Sequence, residues 1–188
     1  MTFNIDTSSG IWDNSTGEGH VHDQKLSEAI IEFVKSKNIK SVTDLGCGKG
    51  DYIKEIKPFV NSVFACDGNP HTPSLTNGIG IVADLSKPQK FSKNDLIISL
   101  EVGEHIPKDR ENIFLDNITK PAKEWLLTSW AVPGQGGDGH VNCQPNQYII
   151  NEIEKRGFKY MLFESELFRI KSSLSWFKNT ILLFKKIK

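Results

Sequence analysis

Two sets of ionisable residues stand at spacings that suit chemistry. In the first, Asp44, Asp67 and Asp84 each close a short apolar run: Ser41-Val-Thr-Asp44, Ser62-Val-Phe-Ala-Cys-Asp67 and Gly80-Ile-Val-Ala-Asp84. Runs of this kind read as strands, and acids at the ends of parallel strands line the sheet edge where open α/β folds bind ligands. Asp44 leads into Leu45-Gly46-Cys47-Gly48-Lys49-Gly50. The missing Cβ atoms of that turn let the backbone bend sharply and let a ligand lie against it. Its G-x-G-x-G spacing departs from the G-x-G-x-x-G dinucleotide fingerprint, and a carboxylate before the turn suits an ammonium better than a pyrophosphate. A nicotinamide oxidoreductase is disfavoured on that spacing. Asp67 stands about twenty residues past the first glycine, the offset at which an acid ending the second strand takes both ribose hydroxyls of an adenosine.

The second set is Glu101-Val-Gly-Glu104-His105, directly after the apolar run Asp95-Leu-Ile-Ile-Ser-Leu100. At i, i+3 and i+4 these side chains share one face of a helical turn. Two carboxylates and an imidazole that converge draw a cation, and an oxygen-rich set suits Mg²⁺ or Mn²⁺ better than structural zinc. His140, after the glycine-rich loop Pro133–Gly139, reaches the same edge as a fourth ligand. The competing reading gives these groups a structural or substrate-orienting role, with His105 or His140 as general base. His140 and Cys143 begin a zinc-like pattern that no second Cys-His pair completes. The glycine-rich loop is a weak phosphate cradle, since no helix follows at once to add its dipole. Asn142 and Gln144 suit the orientation of a polar substrate or of the loop itself.

Asp44-Leu-Gly-Cys-Gly-Lys-Gly resembles the first motif of class I S-adenosylmethionine-dependent methyltransferases, and the resemblance extends over nearly the whole chain after Asp23. It implies methyl transfer from S-adenosylmethionine. Asp44 and Gly46 would hold the methionine end, Asp67 the ribose, and Asp84 with the backbone of Leu85 the adenine. Cys47, Gly48, Gly68 and Leu100 would complete the cofactor site. Glu-x-x-Glu-His followed by a later His is similar to the pattern of metal-dependent small RNA 2′-O-methyltransferases, and a Glu-x-x-Glu-His run also occurs in methyltransferases of quinone-precursor hydroxyls. In that branch Glu101, Glu104, His105 and His140 would bind the metal, which lowers the pKa of the acceptor hydroxyl. The loop Gly134-Gln-Gly-Gly-Asp-Gly-His-Val-Asn resembles a run found in a subgroup of bacterial methyltransferases. The acceptor so implied is a hydroxyl on a sugar, nucleotide or other small polar molecule. The alternatives are a metal-dependent RNA 2′-O-methyltransferase and a non-catalytic module that keeps the cofactor pocket to hold a partner.

Elements must position these groups. Asp23 caps a helix whose Leu26, Ala29, Ile30, Phe33 and Val34 recur at helical spacing up to Lys37. Tyr52 to Ile56 continue as a helix until Pro58, and the stretch after Asp67 reads as an irregular loop. Asp95–Leu100 is apolar throughout, as befits a central strand covered on both faces. A helix follows with Ile113, Leu115 and Ile118 inward, then a fifth strand over Glu124–Trp130. Next come a helix from Asn146 to Arg156, a strand from Phe158 to Phe163, a helix from Glu166 to Ser173 and a last strand over Asn179–Lys185. The expected fold is a doubly wound α/β sheet of about seven strands, Rossmann-like and mostly parallel. The resemblance makes the last hairpin antiparallel, with the seventh strand between the fifth and sixth. Residues 1–22 read as an arm or lid carrying Trp12, His20 and His22, and 23–188 as a single domain.

At 188 residues the chain suits one core. Its 23 basic and 23 acidic residues cancel, so charge does not indicate a nucleic-acid partner, and Lys185–Lys188 reads as a solvated strand end. Three scattered cysteines, Cys47, Cys66 and Cys143, fit a reducing compartment. Met1-Thr-Phe-Asn-Ile-Asp lacks a signal sequence's basic and apolar regions, and Thr180-Ile-Leu-Leu-Phe is too short to span a bilayer. The expectation is a soluble cytoplasmic protein with no membrane partner.

Overall fold

The computed structural model describes residues 4–187. The start of the expected arm before Asn4, and Lys188 of the lysine-rich end, lie outside the described residues. After a hairpin of β1 (Asn4–Asp6) and β2 (Ile11–Asp13), the chain alternates helix and strand. It forms α1 (Gln24–Ser36), β3 (Ser41–Leu45), α2 (Asp51–Ile56), β4 (Ser62–Asp67), α3 (Thr72–Leu75), β5 (Gly80–Val82) and β6 (Asn94–Ser99). It continues through α4 (Glu111–Thr119), β7 (Ala122–Thr128), α5 (Asn146–Glu154), β8 (Phe158–Tyr160), α6 (Leu162–Lys171), α7 (Phe177–Thr180) and β9 (Leu182–Lys186). The seven-stranded sheet has the order β5-β4-β3-β6-β7-β9-β8. Strands β3 to β7 are parallel, and β9 runs antiparallel to both β7 and β8.

Apolar content explains the order. All five residues of β3 are buried, as are Leu96, Ile97 and Ile98 of β6, so these strands take the centre, where helices cover both faces. Leu26, Ile30 and Phe33 of α1 pack on one face with Ile53 of α2, Phe168 of α6 and Phe177 of α7. Phe114 and Ile118 of α4 pack on the other face with Ile149 and Ile153 of α5. The chain's winding reverses between β3 and β6. The carboxyl ends of those two strands therefore open the crevice in which doubly wound sheets bind ligands, and Asp44 and Glu101 flank it.

Several boundaries differ from the sequence expectation. The third strand stops at Val82, because the Asp84 carboxylate accepts the Ser86 N–H at 2.9 Å and the Ser86 hydroxyl at 2.6 Å and so bends the chain away from the sheet. Phe114 takes the inward position expected of Ile113, which is half-buried. The sixth strand ends at Tyr160, and Leu162 and Phe163 already belong to a helix. A helical turn over Phe177–Thr180 precedes the last strand. The arm carries a hairpin, followed by Asn14, whose backbone carbonyl accepts the Asn69 side-chain N–H at 2.8 Å.

Asp23 caps α1 through the Leu26 N–H at 3.1 Å and does more. Its carboxylate also accepts the Ser173 N–H, the Ser173 hydroxyl and the Leu174 N–H, each at 2.8 Å, which ties the first helix to the segment after α6. Asp23→Ala removes a cap and three part-buried hydrogen bonds, so it should lower stability by about 2 kcal/mol in urea unfolding.

Candidate functional site

A cavity of about 400 Å³ opens at the crevice between β3 and β6, within the size range of small-molecule sites. Asp44, Gly46, Cys47, Gly48, Asp67, Gly68, Leu85, Leu100, Glu101, His105 and His140 line it. Asp84 is not among the lining residues. Its carboxylate is bound to Ser86 and to the Lys87 ammonium at 2.9 Å. Glu104 lies just behind the wall, wholly buried.

Asp44, the penultimate residue of β3, lines this space, 3 % exposed, and its Oδ2 has no hydrogen-bond partner. Burial, reinforced by the charge of Asp67, pushes the Asp44 carboxyl up to about 8. A carboxyl so placed is short of a cation. Asp67 is tied into the backbone, accepting the Gly48 N–H at 2.8 Å and the Asn69 N–H at 2.9 Å. That pair of bonds locks the glycine-rich turn to the end of β4.

The glycines admit protein groups as well as a ligand. Gly46 and Gly48 hold φ of 84° and 52°, values that suit glycine. A Cβ on Gly46 would collide with Val102, and one on Gly48 would stand 2.8 Å from His20 Nδ1. The arm is thus built into the wall. Trp12 lies between His20 and His105, with ring centroids 5.4 Å from each. Burial holds His20 below the ordinary imidazole range, and its Nε2 has no hydrogen-bond partner.

The expected shared face of Glu101, Glu104 and His105 forms only in part. Residues Gly103–His105 make a 3-10 turn, and Glu101 precedes it in the left-handed region at φ 52°. Its carboxylate accepts the Gln135 side-chain amide at 2.6 Å and the Thr180 hydroxyl at 3.2 Å. Glu104, His105 and His140 each offer a ligand atom, and these atoms lie within 4.8 Å of one another. Glu101 is not part of that group. Both Glu104 oxygens are buried without a hydrogen-bond partner. Burial and the neighbouring Glu101 charge hold this carboxyl well above its usual range.

The two imidazoles are oriented alike. His105 Nδ1 lies 3.3 Å from the Gly139 carbonyl, and His140 Nδ1 lies 3.2 Å from the Gln135 carbonyl. A carbonyl only accepts, so Nδ1 carries the proton in each ring. Burial, then the His140 charge, pushes His105 down to about 4, which leaves it neutral at pH 7 with a free lone pair on Nε2. His140 Nε2 stands 4.0 Å from Glu104 Oε1. Rings fixed at Nδ1 by backbone carbonyls have the arrangement of metal-ligating histidines, and His140 turns its Nε2 toward Glu104.

The loop that carries His140 is clamped from below. The Val141 and Asn142 N–H groups both donate to the Glu104 carbonyl at 2.9 Å, and Trp130 Nε1 donates to the Asn142 carbonyl at 2.6 Å. Gly103 makes the last contact possible, since a Cβ there would overlap the Trp130 ring. The Asn142 amide donates at 2.9 Å to Glu111, whose buried carboxylate also accepts from Tyr148 and Lys108.

The sequence pattern did not point to Tyr52, Gln135, Trp176 or Phe177, which also line the cavity. Trp176 and Phe177 sit at the α7 turn that was expected to be the approach to a strand. Gln135 carried a readable signal, a polar residue within a glycine-rich loop at the sheet edge. His71 pairs with Asp13 at 3.3 Å, outside the cavity.

Asp44→Asn removes a buried carboxyl that takes its proton far more readily in the native chain, at about 8, than at the ordinary 3.8. The native state therefore binds more protons than the unfolded one between those values, and stability falls as pH rises through that window. The variant should melt higher than the native protein, with the gap widening from pH 5 to pH 8 in thermal scans.

No family model matches the chain. It is 22% identical over 186 residues to a probable chloroplastic tocopherol O-methyltransferase of Oryza sativa subsp. japonica, covering 79% of this chain and 49% of that protein. The chain thus spans about half the length of this curated relative. The magnesium protoporphyrin IX methyltransferase of Synechocystis PCC 6803, solved with bound S-adenosylhomocysteine, superposes with a TM-score of 0.65 at 18% identity, over 87% of this chain and 82% of that one. The sugar N-methyltransferase KedS8 of Streptoalloteichus sp ATCC 53650 gives 0.70 at 10% identity, over 92% and 91%. With the strand order and its antiparallel last strand, these likenesses show that the chain has the fold of the class I S-adenosylmethionine-dependent methyltransferases.

Proposed function

We propose that the chain transfers a methyl group from S-adenosylmethionine to a hydroxyl on a sugar, nucleotide or other small polar acceptor. The observation that carries this reading is Asp44, a buried carboxyl with an unpartnered oxygen beside the glycine-rich turn, which fits an ammonium. Asp44 and Gly46 would hold the methionine end of the cofactor. Asp67, already fixed by two backbone bonds, would take the ribose. Leu85 and Gly68 would wall the adenine side, and Asp84, engaged by Ser86 and Lys87, is left to support the turn that presents Leu85. When bound, the cofactor supplies a methyl group on a sulfonium, an electrophile that needs no covalent activation by the protein. The task left to the chain is to align the acceptor, exclude water and receive the acceptor's proton.

Glu104, His105 and His140 favour a divalent cation at the acceptor side. A buried carboxylate with two unpartnered oxygens beside two imidazoles fixed at Nδ1 by backbone carbonyls suits Mg²⁺ or Mn²⁺. Such an ion supplies Lewis acidity toward an acceptor hydroxyl. His105, held near 4, is a poor general base at neutral pH and a good neutral ligand. Glu101, bound to Gln135 and Thr180, would set the outer wall of the acceptor site. The same cluster supports a second reading, metal-dependent 2′-O-methylation of RNA. RNA binding that weakens steeply with salt would favour it, and a salt-insensitive small acceptor would exclude it.

Calorimetric titration with S-adenosylmethionine and S-adenosylhomocysteine should give micromolar binding. Asp44 must lose its proton to meet an ammonium, so binding at pH 7 should release close to one proton, read from buffers of different ionisation enthalpy. Affinity should rise with pH and level off above about 8. Asp67→Ala should weaken binding at least about tenfold, the loss of charge-assisted hydrogen bonds. A native protein that binds neither ligand would overturn the reading. For the cation site, Glu104→Gln should abolish Mn²⁺ binding in electron paramagnetic resonance titrations and leave the metal-free protein as stable as the native chain or more so. Unchanged Mn²⁺ binding in that variant would remove Glu104 from the site.

A further inference from the structure

A second, shallower groove of about 490 Å³ lies between the glycine-rich loop and the turn at α7. Gln135, Gly136 and Trp176 line both this groove and the main cavity, so the groove is the cavity's outward continuation. One carboxylate holds its two walls together. Glu101 accepts the Gln135 side-chain amide of the loop at 2.6 Å and the Thr180 hydroxyl of α7 at 3.2 Å. Its backbone stands in the left-handed region at φ 52°, a conformation that residues other than glycine keep only where surrounding contacts hold it.

The main cavity, about 400 Å³, lies toward the lower end of the roughly 300–1,000 Å³ of single-ligand sites. A cofactor and the reacting ring of an acceptor take up that space. Any further part of the acceptor has to leave past Trp176 and Gln135, into the groove.

The groove's chemistry says what that part is. Trp176 supplies half-buried aromatic surface, while Ser175 and Asn179, both exposed, set a hydroxyl and an amide along the rim. At Gly134 and Gly136 an added Cβ would meet nothing within 4 Å, so the loop there leaves open space against bare backbone. Among the described residues, no charged side chain lines the groove, and Lys178 of α7 lies outside it. A nucleotide or an RNA strand would need cationic side chains for its phosphates. A ring with apolar C–H faces and hydroxyls around its edge matches an aromatic surface bordered by neutral polar groups. We infer that the groove binds an uncharged sugar ring. The acceptor is then a neutral oligosaccharide or glycoside, methylated on the ring next to the one held at Trp176. This rests on the methyl-transfer reading and narrows its acceptor.

Saturation-transfer difference NMR, with S-adenosylhomocysteine at saturation, should compare maltose, cellobiose and lactose with glucose, AMP and catechol. At least one disaccharide should receive saturation on protons of both rings, and more of it than glucose, AMP or catechol. Trp176→Ala should abolish the transfer to one of the two rings. Asn179→Ala, a change at an exposed side chain, should weaken the same signal with an unchanged circular dichroism spectrum. A native protein that binds S-adenosylhomocysteine in calorimetry yet transfers to no disaccharide, or that favours AMP or catechol, would overturn the assignment of the groove. Two-ring transfer that survives Trp176→Ala would overturn it as well. A native protein that does not bind S-adenosylhomocysteine would instead overturn the methyl-transfer reading on which the assignment rests.

Discussion

Everything at the functional edge depends on carboxyl groups that the fold buries without satisfying. Asp44 and Glu104 keep oxygens that no donor reaches. An ionised carboxylate in such a place costs several kcal/mol unless a cation meets it. The chain accepts this cost on either side of the β3/β6 crevice and nowhere else so acutely among the described residues. The parallel sheet makes the arrangement possible: fully buried central strands deliver their carboxyl ends into a low-dielectric space where burial raises both groups. The charge wanted differs between the two places. Beside the glycine turn Asp44 suits an organic ammonium, and beside the two imidazoles Glu104 suits a hard divalent ion.

The second requirement is rigidity. Asp67 binds the glycine turn to β4, and the Glu111–Asn142 clamp binds the His140 loop to α4 and to the Glu104 backbone. Glycine serves this rigidity by letting other groups come close: Gly46 admits Val102, Gly103 admits the Trp130 ring, and Gly48 admits His20. The arm is part of the same construction. Trp12 bridges His20 beside the glycine turn and His105 beside Glu104, so the arm links the two halves of the cavity through one tilted and one edge-on ring contact.

Much of this was legible in the residues alone. The period of Leu26, Ala29, Ile30, Phe33 and Val34 defined α1, and the unbroken apolar run through Leu96, Ile97 and Ile98 defined a central strand. Acids closing successive apolar runs marked the edge at which the cavity opens, because in a parallel sheet every strand end of one sense faces the same way. Those signals are local: hydrophobic period, glycine position and strand-end chemistry operate over a few residues, and the fold preserves them.

Folding decided the rest, through partners distant in sequence for Glu101 and through a short-range turn for Asp84. Glu101 looked equivalent to Glu104, yet Gln135 and Thr180, 34 and 79 residues away, take its carboxylate. Asp84 looked equivalent to Asp67, yet its own downstream Ser86 and Lys87 turn it from the cavity, since β5 ends at Val82. Leu162 and Phe163 read as the end of a strand because a sequence shows apolarity without showing which way it faces. Only the docking of Ser165 and Phe168 against the core turned that run into a helix with its apolar side to solvent. The sequence by itself determined which elements form and which edge carries the acids; which of those acids stay unpartnered depends on contacts that no local pattern encodes.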